Sequence, residues 1–567
     1  MASIPIGSSA NSSDEFDLII VGAGLYGLYT AKTFLELCPS MNLLIVDSLS
    51  SPGGVWAKER IYPGLYVQVL PQYFELPELR YEEVSGLEYN SRGFILGESW
   101  SKYFEAWVDK VGIREKIRFN TTVQNITRHE DGKWKCQISD TGEVLSASKL
   151  IIAIGITSVP RFPNIDTSKC TVPVLHQRYL GERKDDWQGE KQQVVTVYGA
   201  GKSSMDTLVQ LRKAGKRVKW VIRKGGRGPP WLLDSNASSL IFTRFSGMVL
   251  PAMYPGTDGF ARMHTFFKQT SIGRSLTSGF MGIAKTLTLA NVGKISNDNL
   301  RQAIPEINPM WMYHVTAIDN YEVPVYDHLR DGTIEVIRDN IVSTEGDTIT
   351  LESGEKFSTD AVIFATGWRT NFPFFSEELA MQLGLPSTAC TEEFNKKWKD
   401  LETEADKRVF STNPYLETAP VPPRIPPQEA SPFRLYHHAV PTNPSFADGS
   451  IAILGSASVA ATTHYVPVIS LWTAVYMLGK MELPDTAEME KAAAYELRFN
   501  QIRHVGITND FPWISWDYMG VMSKLLTEMG MKPWLKGGFF GELFSMQTAH
   551  GFGVPSQKWI ASASSPQ

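Results

Sequence analysis

Two glycine turns, each closing an apolar run, constrain this chain more than any other feature. The first is Leu18-Ile19-Ile20-Val21 followed by Gly22-Ala23-Gly24-Leu25-Tyr26-Gly27. The second is Val194-Val195-Thr196-Val197-Tyr198 followed by Gly199-Ala200-Gly201-Lys202-Ser203-Ser204. Such a turn is informative only between a strand and a helix. There its glycines permit the tight bend, admit a pyrophosphate to the backbone and let the helix pack close on the strand, with the phosphates on the free N–H groups of the helix start. Both runs meet that condition, and the first predicts a helix over 25–37.

The residues downstream of each turn separate the two. About 20 residues after Gly27, the run Leu43-Leu44-Ile45-Val46 ends in Asp47, a carboxylate placed to grip ribose hydroxyls. After the second turn, Val218-Lys219-Trp220-Val221-Ile222 ends instead in Arg223-Lys224, a basic pair suited to a 2′-phosphate. One plain ribose and one phosphorylated ribose read as FAD and NADPH. The expected cofactor residues are therefore Gly22, Gly24, Tyr26, Gly27 and Asp47 for FAD, and Gly199, Gly201, Lys202, Ser203, Ser204, Arg223 and Lys224 for NADPH. Ser204 stands where a third glycine is usual. It is small enough to keep the helix close, and its hydroxyl could donate to phosphate.

At 567 residues the chain exceeds what one core supports, so two or more domains are expected. The fold class is α/β: two Rossmann-like dinucleotide-binding domains. The FAD domain is expected over 16–170 and 368–567, and the NADPH domain over 171–367. That second unit is longer than a dinucleotide fold requires, which places a helical insertion at about 228–312, carrying Leu240, Phe242, Phe245, Met248, Leu250, Met263, Phe266 and Phe267. It is either extra core or a wall of the substrate pocket.

Strands are also expected over 117–123, 133–138, 149–154 and 360–365. A hairpin is expected around Ser353-Gly354, a Pro- and charge-rich surface excursion over 381–429, and an aromatic tail over 511–559, Trp516 included, wrapped on the core.

A net charge of -5 with scattered Lys and Arg excludes nucleic acid as an expected partner. Four dispersed cysteines form neither a disulfide framework nor a metal site, and no Cys-x-x-Cys is present. Residues 1–15 read as a disordered leader without a secretory signal, so the expected location is cytoplasmic and the sequons at Asn120 and Asn236 read as chance matches. The uncharged stretch 449–479 is broken by Gly455, Thr462, Thr463, His464 and Pro467. It reads as a strand (451–454), a turn and a core helix (466–478), not a membrane span.

In motif order over about 16–490, the chain resembles the class B flavin monooxygenases, and within them the flavin-containing monooxygenase-like proteins of fungal secondary metabolism. Gly53-Gly54-Val55-Trp56 is similar to the family's Gly-Gly-x-Trp and Tyr62-Pro63-Gly64-Leu65 to its flavin-side phrase. Ala153-Ile154-Gly155 and Ala365-Thr366-Gly367-Trp368 resemble its strand-end motifs, and Leu435-Tyr436-His437-His438 and Ile453-Leu454-Gly455 the phrases that return to the flavin. The resemblance adds Gly54, Val55, Trp56, Val123 (at the adenine clamp), Ala153, Thr366, Gly367 and Gly455 as cofactor residues. It implies hydride delivery from NADPH, O2 addition at flavin C4a and oxygen transfer to a small molecule.

The linker signature Phe-x-Gly-x-x-x-His-x-x-x-aromatic survives only as His176, expected as a structural hydrogen-bond partner, and its Baeyer–Villiger Trp-Pro ending is absent. Near Pro63-Gly64 the N-oxygenating relatives carry Asn and the Baeyer–Villiger relatives Asp. Here the residue is Gln68, the one expected catalytic residue, which leans toward oxygenation at N or S. Baeyer–Villiger oxygenation of a ketone, a non-oxygenating flavin oxidase or reductase, and a cofactor-bound scaffold stay open, as does a homodimer.

Overall fold

The computed structural model describes residues 15–234, 242–309, 311–312, 316–420, 429–506, 511–515 and 517–563. Residues 1–14 of the expected leader, together with Leu240, Trp516 and the Asn236 sequon, lie outside them.

The first sheet is built on β1 (Glu15–Val21), whose apolar run is buried because parallel neighbours flank it on both sides. With β2 (Leu43–Val46), β3 (Ile117–Arg118), β4 (Val123–Arg128), β5 (Trp134–Ile138) and β6 (Val144–Ile152) the order is β3-β2-β1-β6-β5-β4, and the late strand Ile451–Ile453 pairs with β6. Leu18 sits beside Leu43 on one side and Lys149 on the other. The chain order reverses at the carboxyl end of β1, where ligands bind in open α/β sheets. The Gly22 turn occupies that point and leads into α1 (Leu25–Leu37), the helix expected there.

A second, all-parallel sheet repeats the plan. Its strands are β7 (Val174–His176), β8 (Val194–Tyr198), β9 (Arg217–Ile222), β10 (Ile334–Arg338) and β11 (Ala361–Phe364), in the order β10-β9-β8-β11-β7. The Gly199 turn lies at its switch point and opens α3 (Lys202–Lys213); α2 (Gly97–Lys110) precedes it in the chain and packs on the first unit. The expected hairpin forms between Thr348–Leu351 and Lys356–Ser358, with Gly354 at φ +87° in the turn.

Three expectations change. The single strand over 117–123 is split, because Asn120 adopts φ +51° and donates its N–H to Leu49 O, ending one pairing before Val123 opens the next. The turn expected at 462–465 is already helix, since α8 (Thr462–Met477) starts there and carries Pro467 inside its second turn, where the missing N–H forgoes the bond to Thr463 O. Within the 381–429 excursion lies α7 (Glu392–Thr412), whose Trp398, Ala405 and Val409 recur at helical spacing and are buried. That helix packs on α9 (Thr486–Arg503), so the charge seen in the sequence is its outer face only. No helix of the described residues is long and apolar enough to cross a membrane.

The insertion carries α4 (Arg244–Val249), α5 (Ala261–Gln269) and α6 (Ser271–Val292). Its distal part joins the first unit, because Phe242, Leu250, Met253 and Met281 share one buried cluster with α1, α2 and α8. Its base belongs with the second unit, where Val292, Leu300 and Ala303 pack with β8 and β9. The tail covers the first unit with α10 (Tyr518–Glu528), α11 (Phe539–Phe544) and α12 (Ala549–Ala563). Tyr518, Leu525, Leu526 and Phe552 are fully buried there.

Candidate functional site

The first glycine turn is shaped by close approach. A Cβ on Gly22 would stand 2.5 Å from Ala153 O, and one on Gly27 would stand 1.9 Å from Gly22 O, so neither position admits a side chain. Gly54, at φ +60°, brings the Gly-Gly-x-Trp loop against the turn, since its Cβ would lie 3.0 Å from Gly24 Cα. α1 then begins after Gly24 in extended conformation with no side-chain cap, so its first N–H groups are not satisfied by any side chain at the cap.

Asp47 lies beside this opening. Its Oδ2 accepts the Ala23 N–H at 2.6 Å and its Oδ1 the Leu49 N–H at 2.8 Å. Burial pushes its carboxyl up from the ordinary range, against the pull of those two N–H donors. Each oxygen keeps a lone pair for a hydroxyl. The glycine cradle, the uncapped helix and a carboxylate with spare acceptors fit a dinucleotide.

The other expected residues of this unit surround that opening to different degrees. Gly455 (φ +72°) backs Tyr26, whose Cδ2 would be 2.9 Å from a Cβ there. Trp56 is half-buried with its ring edge toward Trp100 at 6.4 Å, while Val55 is 43% exposed. Val123 is buried at the head of β4 opposite Ile138.

Thr366 and Gly367 tie the two units together, the first donating its hydroxyl to Arg161 O and the second accepting the Arg161 N–H. Gly367 O is also 3.0 Å from His176 Nε2, whose Nδ1 accepts the Arg178 N–H at 3.1 Å. That tautomer makes Nε2 the donor. Burial holds His176 down to about 4, so it stays neutral as a joint between β7 and the strand-end motif.

At the second turn the geometry is similar but the side chains differ from expectation. Gly199 (φ +138°) would clash with Ala365 O at 2.1 Å if it carried a Cβ, whereas Gly201 faces open space and α3 again starts without a side-chain cap. Lys202 is engaged within the protein. Its three ammonium donors are used by Asp206 Oδ1 at 2.5 Å, Asn320 Oδ1 at 3.0 Å and Tyr321 OH at 2.8 Å.

Ser204 lies in the first turn of α3. It is fully buried, its hydroxyl has no hydrogen-bond partner among the described residues, and it lies 3.2 Å from where a Gly199 Cβ would be. It serves the packing role of the third glycine. Ser203, half-buried in the first turn of α3, contributes its carbonyl to Thr207. Lys224 is paired with Asp339 at 2.9 Å. Arg223 is exposed at the end of β9 and has no ion-pair or hydrogen-bond partner among the described residues, which leaves it as the cation available to an added phosphate.

Gln68 sits where the two units meet. Its Oε1 accepts the Ile318 N–H at 3.3 Å, on the short strand paired with Leu232–Leu233. Asn320, which sequence reasoning missed, fastens the same loop by donating to Tyr66 O at 3.1 Å and Val67 O at 3.3 Å, and its own carbonyl accepts from Asn90. Arg60 was missed as well: it donates to Thr157 O at 2.6 Å, lies 5.5 Å over the Trp368 ring, and is lowered by burial to about 10. Neither carries a sequence signal, because each acts across separations no local motif spans. Among the described residues no group of His, Cys, Asp or Glu could hold a metal.

A profile of the pyridine nucleotide-disulphide oxidoreductase family matches residues 19–230. The chain is 31% identical to an FAD-dependent monooxygenase of Alternaria brassicicola over 94% of this chain and 92% of that one. It is 32% identical to an FAD-dependent monooxygenase of Fusarium langsethiae over the same shares. Among solved structures, cyclohexanone monooxygenase in its open form superposes with a TM-score of 0.59 at 14% identity, covering 92% of this chain and 99% of that one. Two uncapped glycine turns on two parallel sheets, carried by a sequence that matches these relatives along almost its whole length, place the chain in the family of FAD-dependent monooxygenases, on the fold of the class B flavin enzymes.

Proposed function

We propose that this chain is an NADPH- and O2-dependent monooxygenase that oxygenates a small organic substrate at nitrogen or sulfur, acting in the cytoplasm in fungal secondary metabolism. FAD would be held by Gly22, Gly24, Gly27, Gly54 and Asp47, and NADPH by Gly199, Gly201 and Arg223. Bound FAD supplies the redox chemistry, taking a hydride from NADPH and activating O2. The protein's share is to orient the reactants and exclude water. Aromatic packing suits the exclusion of water, since Tyr73 stacks on Phe242 of the insertion at 4.7 Å and Phe242 meets His464 at 5.4 Å.

The observation that carries the choice of nitrogen or sulfur is the Gln68 carboxamide. Its oxygen is held by Ile318 N–H, and its Nε2 has no partner among the described residues, which leaves an oriented N–H donor on the loop beside the nucleotide units. A ketone would need a cation at the reacting oxygen. Two cations flanking this loop are engaged: Lys213 with Tyr66 OH at 2.7 Å and Glu322 at 3.2 Å, and Lys202 with Asp206, Asn320 and Tyr321.

Gln68→Leu tests the reading. It leaves a partner unsatisfied at a cost of about 1–3 kcal/mol. Flavin reduction by NADPH should change little, oxygen transfer to an amine or sulfide should fall, and hydrogen peroxide released per NADPH should rise. Unchanged coupling at an intact reduction rate removes Gln68 from the reaction.

A further inference from the structure

The exposed apolar surface of the described residues gathers on the insertion and the tail. Along α6, Ile272, Leu276, Ile283 and Leu287 are 68%, 51%, 63% and 58% exposed. At about 100° per residue these four fall within roughly 60° of arc. The opposite side of the same helix is already used, since Gly273, Thr277, Met281, Thr288 and Val292 are buried. The outer stripe is therefore a second apolar face on a helix whose core face is satisfied.

A second exposed apolar group lies on α11. Phe540 and Phe544 are 73% and 52% exposed. Phe544 lies 5.3 Å from Phe245, which in turn lies 6.4 Å from Phe267 of α5, and α5 runs through Thr270 directly into α6.

The charge along these helices has one sign. From 259 to 297 the chain holds no Asp or Glu but carries Arg262, Arg274, Lys285 and Lys294, with Lys268 buried beneath them, although the whole chain has a net charge of -5. Arg262, Lys285 and Lys294 are exposed, with no ion-pair partner among the described residues. Beyond Met529 the sole acid is Glu542, which is buried against Arg244, while Lys532 and Lys536 flank the aromatic residues of α11.

We propose that this face docks on an anionic lipid bilayer, with the α6 stripe and the α11 aromatics entering the headgroup boundary and the surrounding cations held by acidic headgroups. An apolar stripe bordered by Lys and Arg, with aromatic residues beside it, is the pattern of a helix lying in the membrane interface. A second copy of the chain is the poorer occupant, because it would bring cations against cations. The inference stands on exposure and charge and is independent of the oxygenation chemistry.

Sedimentation of the FAD-loaded full chain with vesicles of phosphatidylcholine, alone or mixed with phosphatidylserine, tests it. Binding should be at least about ten-fold tighter to the anionic vesicles and weaken in high salt. The double variant Ile283→Glu/Leu287→Glu should lower that binding by at least about ten-fold while leaving NADPH oxidation in lipid-free solution unchanged. A second variant, Lys285→Glu/Lys294→Glu, keeps the apolar stripe and should reduce the preference for anionic vesicles. The proposal is overturned if the full chain ignores anionic vesicles, if the first variant binds them as before, or if that variant instead converts a lipid-free dimer to monomer, which would assign the face to a second copy.

Discussion

Arg244 of the insertion and Glu542 of the tail form an ion pair at 2.5 Å with both side chains buried. Both charged groups carry further hydrogen bonds. Arg244 also donates to Ser523 Oγ at 2.8 Å and Pro533 O at 2.5 Å, while Glu542 Oε2 accepts the N–H groups of Leu535 and Lys536 at 3.0 Å and 2.7 Å. The pair joins segments about 300 residues apart in the chain and seats the tail on the insertion.

Removing one partner leaves the other charge buried alone. Arg244→Ala should destabilise the protein by about 3–5 kcal/mol, whereas Arg244→Met with Glu542→Leu should recover most of that loss. Urea unfolding monitored by fluorescence measures both. A single variant as stable as the parent would mean the pair does not seat the tail.

The glycines of the first turn should separate by role. Gly27→Ala puts a Cβ at 1.9 Å from Gly22 O and should compromise folding, seen as a large fall in soluble yield and melting temperature. At Gly24 the nearest atom to a Cβ is Gly54 Cα at 3.7 Å, so Gly24→Val should fold yet carry little FAD, because its methyl groups crowd the uncapped start of α1. Full FAD occupancy in a folded Gly24→Val protein, read from its absorbance, would reassign the turn.

Arg223 and Lys224 should not be equivalent. Arg223→Ala should weaken NADPH binding by about 10–150-fold, the value of about 1.5–3 kcal/mol for a charge-assisted contact, and leave NADH nearly untouched. Lys224→Ala should cost less, since its ammonium is paired with Asp339. Steady-state KM values for the two nicotinamides decide it, and equal efficiency with both in the parent protein would sink the assignment.

Stability should depend on pH through His437. Burial alone would lower this imidazole, but Glu496 at 2.7 Å and Glu528 at 3.0 Å outweigh it and hold it up to about 9. His438 faces Glu496 from the other side at 3.8 Å, Tyr254 and Tyr436 donate hydroxyls to the two carboxylates, and Lys524 pairs with Glu528 at 3.1 Å.

A folded pKa raised from 6.5 to about 9 adds stability that is complete below pH 6.5 and is lost as pH rises through about 9. The loss amounts to about 3 kcal/mol. Relative to His437→Gln, the parent protein should therefore gain denaturant resistance at about pH 6 that it loses at about pH 9.5. His437 and His438 also sit at φ +49° and +57°, a strained pair of left-handed residues that this ion network holds in place.

The strand, turn and helix around Gly22 and Gly199, and the downstream residues Asp47 and Arg223, were legible in the sequence, because their conformation depends on neighbours within a few residues. A glycine at φ +113° or +138° and an apolar run before it are local requirements, and the periodicity of 25–37 or 194–198 states them directly. Lys202 was expected to hold NADPH and the Ser204 hydroxyl to donate to phosphate on the same grounds, and the local pattern did not show what else engages these side chains. Asp206 lies one helical turn from Lys202, but Asn320 and Tyr321 arrive from more than 100 residues away and take its remaining donors. Ser204 is buried by the packing of α3 on β8, which no spacing in the chain reveals. The insertion's attachment to the first unit, the ion pair of Arg244 with Glu542 and the hold of Ile318 on Gln68 were decided the same way. Each is an interaction whose free energy exists only after distant segments are brought together, so tertiary packing, not local propensity, selects it.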